Sequence, residues 1–216
     1  MTPQEVETAA RRRYNAETDN FWSQDEIFKM IWEGEVQLCQ EAMCAVDKNT
    51  SVSTVASTQS YSLPTNTIGL KRVEYDGQKL KNISLREDDV LTLENSTTTS
   101  TGTPLYYWEW NDLIYLRPIP DQVKVLTMYR YIIPTLYTTS STALTVPLRY
   151  HKDLVNFVVA QMAYKDSQDN IGDRYLARWD RAVLDAKRYE KQRRRGDAFA
   201  VTKDENDYVE TIIGLL

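Results

Sequence analysis

Apolar residues recur at helical spacing at both ends of this chain and alternate through its middle. Near the start, Thr2, Pro3 and Glu5 form a capping box with proline at the first helical position. Val6, Ala9, Ala10 and Tyr14 follow on one side of the helix this predicts. A second capping box, Ser23 to Glu26, opens a longer helix in which Ile27, Ile31, Leu38, Ala42 and Val46 repeat along one face. Phe28, Trp32 and Cys39 widen that stripe, and Gly34 inside it predicts the close approach of another helix.

From about residue 50 the period changes to two and Ser and Thr become dense. Segments 68–75 and 78–83 flank Asp76-Gly77, a strong hairpin signal because a type I′ turn needs positive φ at both central positions. Residues 94–103 carry almost no apolar side chain and predict an exposed loop. Strands follow at 104–110 and 113–117, joined by a turn at Asn111-Asp112, and Pro118 and Pro120 close the second of them. A further strand covers 123–132, ended by Pro134, and a second Ser/Thr-rich loop spans 135–145.

After Pro147 the helical period returns. Leu154, Val155, Val158, Val159 and Met162 mark a helix over 149–166. Tyr175, Trp179, Ala182, Val183, Ala186 and Tyr189 mark a last helix that runs to Arg195, with Gly196 as its stop. The remainder, 197–216, is an acidic stretch with an apolar end.

The fold expected is α+β: a four-helix bundle (1–48 and 148–196) interrupted by an inserted antiparallel β domain, sandwich or barrel-like (49–147), with an extended C-terminal tail (197–216). No internal repeat is visible.

Composition narrows the function classes more than it names one. The net charge of −5 argues against a chain that binds nucleic acid over its whole surface. One stretch departs from that balance. Between Arg174 and Arg195 nine basic residues meet three acidic ones, a surplus of +6 that leaves −11 for the rest. Cations at a helix C-terminus complement the macrodipole, but a run of three arginines exceeds that need. Arginine also clasps carboxylates and phosphates with two bonds, so an acidic neighbour and a nucleic acid both remain open.

Fourteen tyrosines and five tryptophans against four phenylalanines suit either strand-rich packing or surfaces that become half-buried in an assembly. Tyr106, Trp108 and Trp110 fall on one strand face, as sheet core, subunit interface or a stacking platform for sugars or bases. Cys39 and Cys44 project about 140° apart if both are helical, which disfavours a disulfide and fits a reducing compartment. The start of the chain has no signal-peptide pattern, and no apolar run approaches bilayer length, so synthesis in a cytoplasm without membrane insertion is expected.

Catalytic chemistry finds little to stand on. His151 is the one histidine, and it sits at a helix start with no cluster of Cys or carboxylate ligands. Seven scattered glycines build no phosphate loop, and the pairs Asp88-Asp89 and Asp204-Glu205 lie in polar surroundings that give no reason for a perturbed pKa. The chain is therefore expected to be no enzyme, with no catalytic residue, metal or cofactor.

Three passages carry a resemblance. Leu63-Pro64 leads to Tyr75-Asp76-Gly77; Gly102-Thr103-Pro104-Leu105-Tyr106-Tyr107 precedes Leu113-Ile114-Tyr115-Leu116-Arg117-Pro118-Ile119-Pro120-Asp121; and Val146-Pro147-Leu148 leads through His151-Lys152-Asp153-Leu154 and Ala163-Tyr164 to the basic helix. In order and spacing, over residues 20–195, the layout resembles the head-to-tail adaptor (head-completion, connector) proteins of tailed bacteriophages. That resemblance implies a structural virion protein at the head-tail junction, assembled in the host cytoplasm. It implies a twelve-fold homo-oligomeric ring between the portal protein and a tail or nozzle protein, with genomic DNA passing through its channel. It also implies a C-terminal extension that contacts the portal. On this chain the partner-binding residues expected are Arg188, Arg193, Arg194, Arg195, Phe199, Tyr208, Ile212, Ile213, Leu215 and Leu216. The competing expectation is a ligand-binding module that takes glycan on the Trp108/Trp110 face or nucleic acid on the basic last helix.

Overall fold

A computed structural model describes the backbone of residues 1–95, 100–137, 139–140 and 142–213, with side chains described on these except 91–95 and 195–213. Among the described residues it is a mixed α+β structure with five α-helices, mostly antiparallel sheets and no closed barrel. The chain forms two compact units, one of residues Met1–Ala45 with Pro134–Leu216 and one of Val46–Ile133.

The first unit holds helices α1 (Pro3–Tyr14), α2 (Gln24–Ala42), α4 (His151–Lys165) and α5 (Asp169–Ile213). Thr2 and Glu5 exchange the bonds of a full capping box, and the Ser23 hydroxyl caps α2 through the Glu26 amide. Each such cap stabilises its helix by about 1 kcal/mol. Helix α4 is the hub and packs against α1, α2 and α5. Its Leu154, Val155, Val158, Val159 and Met162 are all buried, as the helical spacing predicts. At Gly34 helix α4 comes close to α2: a Cβ there would lie 2.8 Å from Phe157 Cδ1 and 3.1 Å from Leu154 Cδ2. The expected close helix approach is present.

Helix α2 stops at Ala42 because Met43 turns left-handed at φ 51°, its amide closing on the Cys39 carbonyl at 2.9 Å. Cys44 is thus outside the helix. The 140° separation expected for two helical cysteines does not hold, and the two buried, unpaired thiols share a hydrogen bond. A larger correction concerns α5, which runs through Gly196 to Ile213 in place of the extended tail. One glycine costs a helix only about 1 kcal/mol, and no proline follows to break the ladder.

The second unit contains ten strands and α3 (Leu85–Asn95). One sheet has the order β1 (Val46–Ser53), β10 (Val125–Ile132), β3 (Thr67–Tyr75), β4 (Gln78–Lys79). The other has β2 (Ser60–Ser62), β8 (Leu113–Arg117), β7 (Tyr106–Trp110), β5 (Lys81–Asn82). The short strands β6 (Thr101–Gly102) and β9 (Ile119–Pro120) pair in parallel, as do β5 and β7, so the unit is not purely antiparallel. The two larger sheets share one core of Tyr61, Val73, Tyr75, Leu80, Tyr107, Ile114, Leu116, Leu126 and Met128. Asp76 and Gly77 turn at φ 49° and 81°, and Asn111 and Asp112 at 50° and 58°, so both tight hairpins adopt the positive φ their residues favour.

Helix α3 lies between the strand expected at 78–83 and the loop expected at 94–103, in a domain expected to hold strands alone. Its start is encoded: Ser84 and Glu87 exchange the same reciprocal bonds as Thr2 and Glu5. Asp88 then ties it to β8 through Arg117, at 2.5 Å and with both side chains largely buried.

Candidate partner-binding surface on helix α5

Helix α5 has two chemically distinct faces, and its inner one is ordinary packing. Trp179, Val183 and Ala186 are buried, with the Trp179 ring 5.3 Å from that of Phe157 and its Nε1 donating to Gln37 at 2.9 Å. One turn further on, the same face buries Glu190. This carboxylate accepts from the Tyr150 hydroxyl at 2.8 Å and pairs with Arg149 and Arg193, each at 3.3 Å. Burial, then the Glu190 bond, push the Tyr150 hydroxyl well above its ordinary pKa.

Two members of the arginine run therefore already have partners within the protein, although Arg193 stays exposed. Arg193 pairs with Glu190, while Arg194 donates to the Glu190 carbonyl at 3.2 Å and to Met43 Sδ at 3.0 Å. Arg188 is different: its side chain is 77% exposed, with only a loose 3.7 Å contact to an equally exposed Asp185. Arg195, Phe199, Tyr208, Ile212 and Ile213 follow along α5, and their side chains lie outside the described residues, as Leu215 and Leu216 do altogether.

The outer face carries what the arginine run alone does not reveal. Arg174, Arg178, Arg181, Arg188 and Lys191 are exposed at steps of three, four or seven, which places them on one stripe about 26 Å long. The Arg174 and Arg178 guanidinium groups lie over the Tyr175 ring, 5.8 and 5.0 Å from its centre. Among the described residues no acid pairs with Arg178, Arg181 or Lys191. Such a stripe can clasp carboxylates or phosphates, and an exposed Leu184 at its middle adds an apolar contact.

In the β unit, Tyr106, Trp108 and Trp110 share the face opposite the core, which takes Tyr107 instead. Trp108 is nevertheless buried, stacked on Tyr115 with ring centres 5.3 Å apart and planes 11° from parallel. Trp110 is 60% exposed beside them. A groove of about 340 Å³ runs between these rings, Gln59, Leu85 and the Asp88–Arg117 pair. Leu113 and Tyr115 do neighbour the tryptophans across the β7–β8 ladder, Trp108 opposite Tyr115 and Trp110 opposite Leu113.

No catalytic constellation appears among the described residues, nor any group of three or more His, Cys, Asp or Glu placed to hold a metal. His151 is a helix-start residue: Nε2 meets the Val146 carbonyl at 2.8 Å, Nδ1 meets the Met1 amino group at 3.0 Å, and burial lowers its pKa. Asp88 is committed to Arg117, and no helix among the described residues is long and apolar enough to cross a membrane.

Glu35 escaped the sequence reading. It is fully buried on α2, and its carboxylate accepts from the Val146 amide at 3.0 Å and from the Tyr137 hydroxyl. Burial pushes its pKa up to about 7 against the pull of the Val146 and Thr145 amides. Both hidden acids had a signal. Glu35 falls four after Ile31 and Glu190 four after Ala186, inside stripes that otherwise bury apolar residues.

Comparison with known proteins sharpens the choice between a scaffold and a ligand-binding module. No curated protein matches the chain. Residues 1–202 match the family described as SU10 adaptor protein, a span that takes in α1 and reaches past the basic stripe. With nearly the whole length matched, the chain belongs to that family of bacteriophage head-to-tail adaptors.

Proposed function

We propose that the protein is a non-enzymatic structural subunit of the virion, forming a ring that joins the portal protein to the tail and surrounds the path of the DNA. The membership in an adaptor family supports the structural role, and one observation carries the assembly reading. An acidic chain exposes a stripe of cations on α5 in which, among the described residues, no acid pairs with Arg178, Arg181 or Lys191 and Arg188 meets only a loosely held Asp185. Exposed arginines in that state await a partner. Head-to-tail contact between copies joins two different surfaces and closes a ring when the rotation permits, which suits a subunit with segregated charge.

In this reading α1, α2, α4 and α5 act as one bundle, the stripe faces an acidic neighbour or the portal, and the C-terminal part of α5 continues toward that partner. Twelve copies are expected from the resemblance. The decisive experiment is co-assembly of the full chain with its portal, viewed by electron microscopy. Rings seated on the portal support the proposal, and an R178E/R181E/R188E variant that stays folded should fail to seat. Unimpaired seating of that variant would remove α5 from the interface. Retention on DNA with a steep salt dependence and no portal contact would instead favour the nucleic-acid reading.

A further inference from the structure

The segment that joins β10 to α4, described at 134–137, 139–140 and 142–147, is a strap whose two ends are tied to the helices of its own unit. Trp32 Nε1 donates to the Pro134 carbonyl at 2.8 Å. At the far end His151 Nε2 bonds the Val146 carbonyl at 2.8 Å, and Leu144 and Val146 are buried. Between them stands Glu35, whose two carboxylate oxygens take the Val146 amide and the Tyr137 hydroxyl and so span the strap. Leu136, by contrast, is 53% exposed.

What makes this fastening unusual is its charge. A buried carboxylate normally has a cation beside it, and among the described residues no Lys or Arg pairs with Glu35. The titratable groups around it are Cys39 one turn along α2, itself bonded to Cys44, Tyr137 on the strap, and His151 behind Val146. None supplies a positive charge in the pH range in which His151 is neutral.

We propose that Glu35 is a protonation-controlled latch: the neutral carboxyl keeps the 134–147 strap shut, and its ionisation favours strap opening, which returns the carboxylate to water. The sign follows from linkage. The closed strap holds Glu35 at about 7 and the open one releases it toward the ordinary 4.5, so rising pH favours the open form across that interval. The full change in the opening constant is about 300-fold, of which about 70-fold falls between pH 5 and 8.

Hydrogen exchange of the full chain tests this directly, because the Val146 amide is protected by Glu35 itself. After correction for the intrinsic rate, its protection should fall about 70-fold from pH 5 to 8, and Glu35→Gln should flatten that dependence. Val146 should also exchange faster than Val158 in the core of α4 at pH 8; equal rates at every pH would mean the strap never opens alone and would overturn the proposal. So would a Val146 protection that is independent of pH in the native chain, or one that still falls in Glu35→Gln. His151 charges only below its ordinary 6.5, so the upper half of the change belongs to Glu35. Carbon-detected titration of the Glu35 carboxyl in the unaltered chain needs no variant; a midpoint near 4.5 rather than near 7 would equally dismiss the latch.

Discussion

Gly34→Ala isolates a close contact between α2 and α4. The added methyl would sit 2.8 Å from Phe157 Cδ1 and 3.1 Å from Leu154 Cδ2, distances that force the neighbours to move. Phe157 has little room. Its ring leans on Trp179, which is fully buried and held through Nε1 by Gln37. Overpacking of this kind costs about 1–3 kcal/mol, and replacing a mid-helix glycine returns about 1 kcal/mol of helix propensity. The net loss expected is about 0–2 kcal/mol, or a fall of up to about 8 °C in Tm. Gly172→Ala is the control, since its methyl would come even closer to a ring, 2.5 Å from Tyr164 Cε1. Tyr164, however, is only half-buried and holds Asp173 at the surface through its hydroxyl, so it can swing aside at the expense of one exposed bond. Urea unfolding monitored by circular dichroism, with m unchanged, should therefore rank Gly34→Ala as the more damaging. A stabilised Gly34→Ala, or a Gly172→Ala that loses more, would refute the view that a neighbour's freedom to retreat outweighs the bare distance.

Other outcomes follow from features at separate sites. Glu190→Gln should cost about 1–3 kcal/mol, and a double-mutant cycle with Tyr150→Phe should show coupling, because the carboxylate is buried among Tyr150, Arg149 and Arg193. Gly77→Ala should lose about 1–2 kcal/mol through backbone strain alone, since φ is 81° and no atom stands within 4 Å of the new methyl. Both thiols should resist alkylation at pH 8 until the chain unfolds: they are buried, and the Cys44 bond together with burial raises the Cys39 pKa. Rapid modification in the native state, read by mass spectrometry, would contradict that burial.

Local signals in the sequence proved as good as their geometry. The Thr2 and Ser23 caps, the Asp76-Gly77 and Asn111-Asp112 turns, and the apolar stripe of α4 could all be read, because each depends on residues a few positions apart. Ser84 and Glu87 spell the same cap at α3, yet the run that follows alternates too weakly to announce a helix. Gly196 misleads in the opposite direction, since a favourable stop signal is outweighed where helix-forming residues continue beyond it. Long-range partners left the faintest trace. That Arg193 and Arg194 reach Glu190 while Arg178 and Arg181 meet no acid among the described residues depends on which flank of α5 meets α4, a tertiary fact. Neither could the Ser/Thr-rich passage at 135–145 disclose that a buried acid on a helix a hundred residues earlier fastens it.

The β unit leaves the helical one after Ala45 and returns to it at Pro134, and its first and last strands lie side by side, Val46 opposite Tyr131. To the helical unit, this insertion is therefore a closed staple whose two legs are already adjacent. Closing a loop costs free energy that grows only with the logarithm of its length, so the helices are almost indifferent to how much chain the staple carries. A longer or shorter β unit should therefore cost the helical chassis little. A short turn joining Ala45 to Pro134 should leave that chassis able to fold.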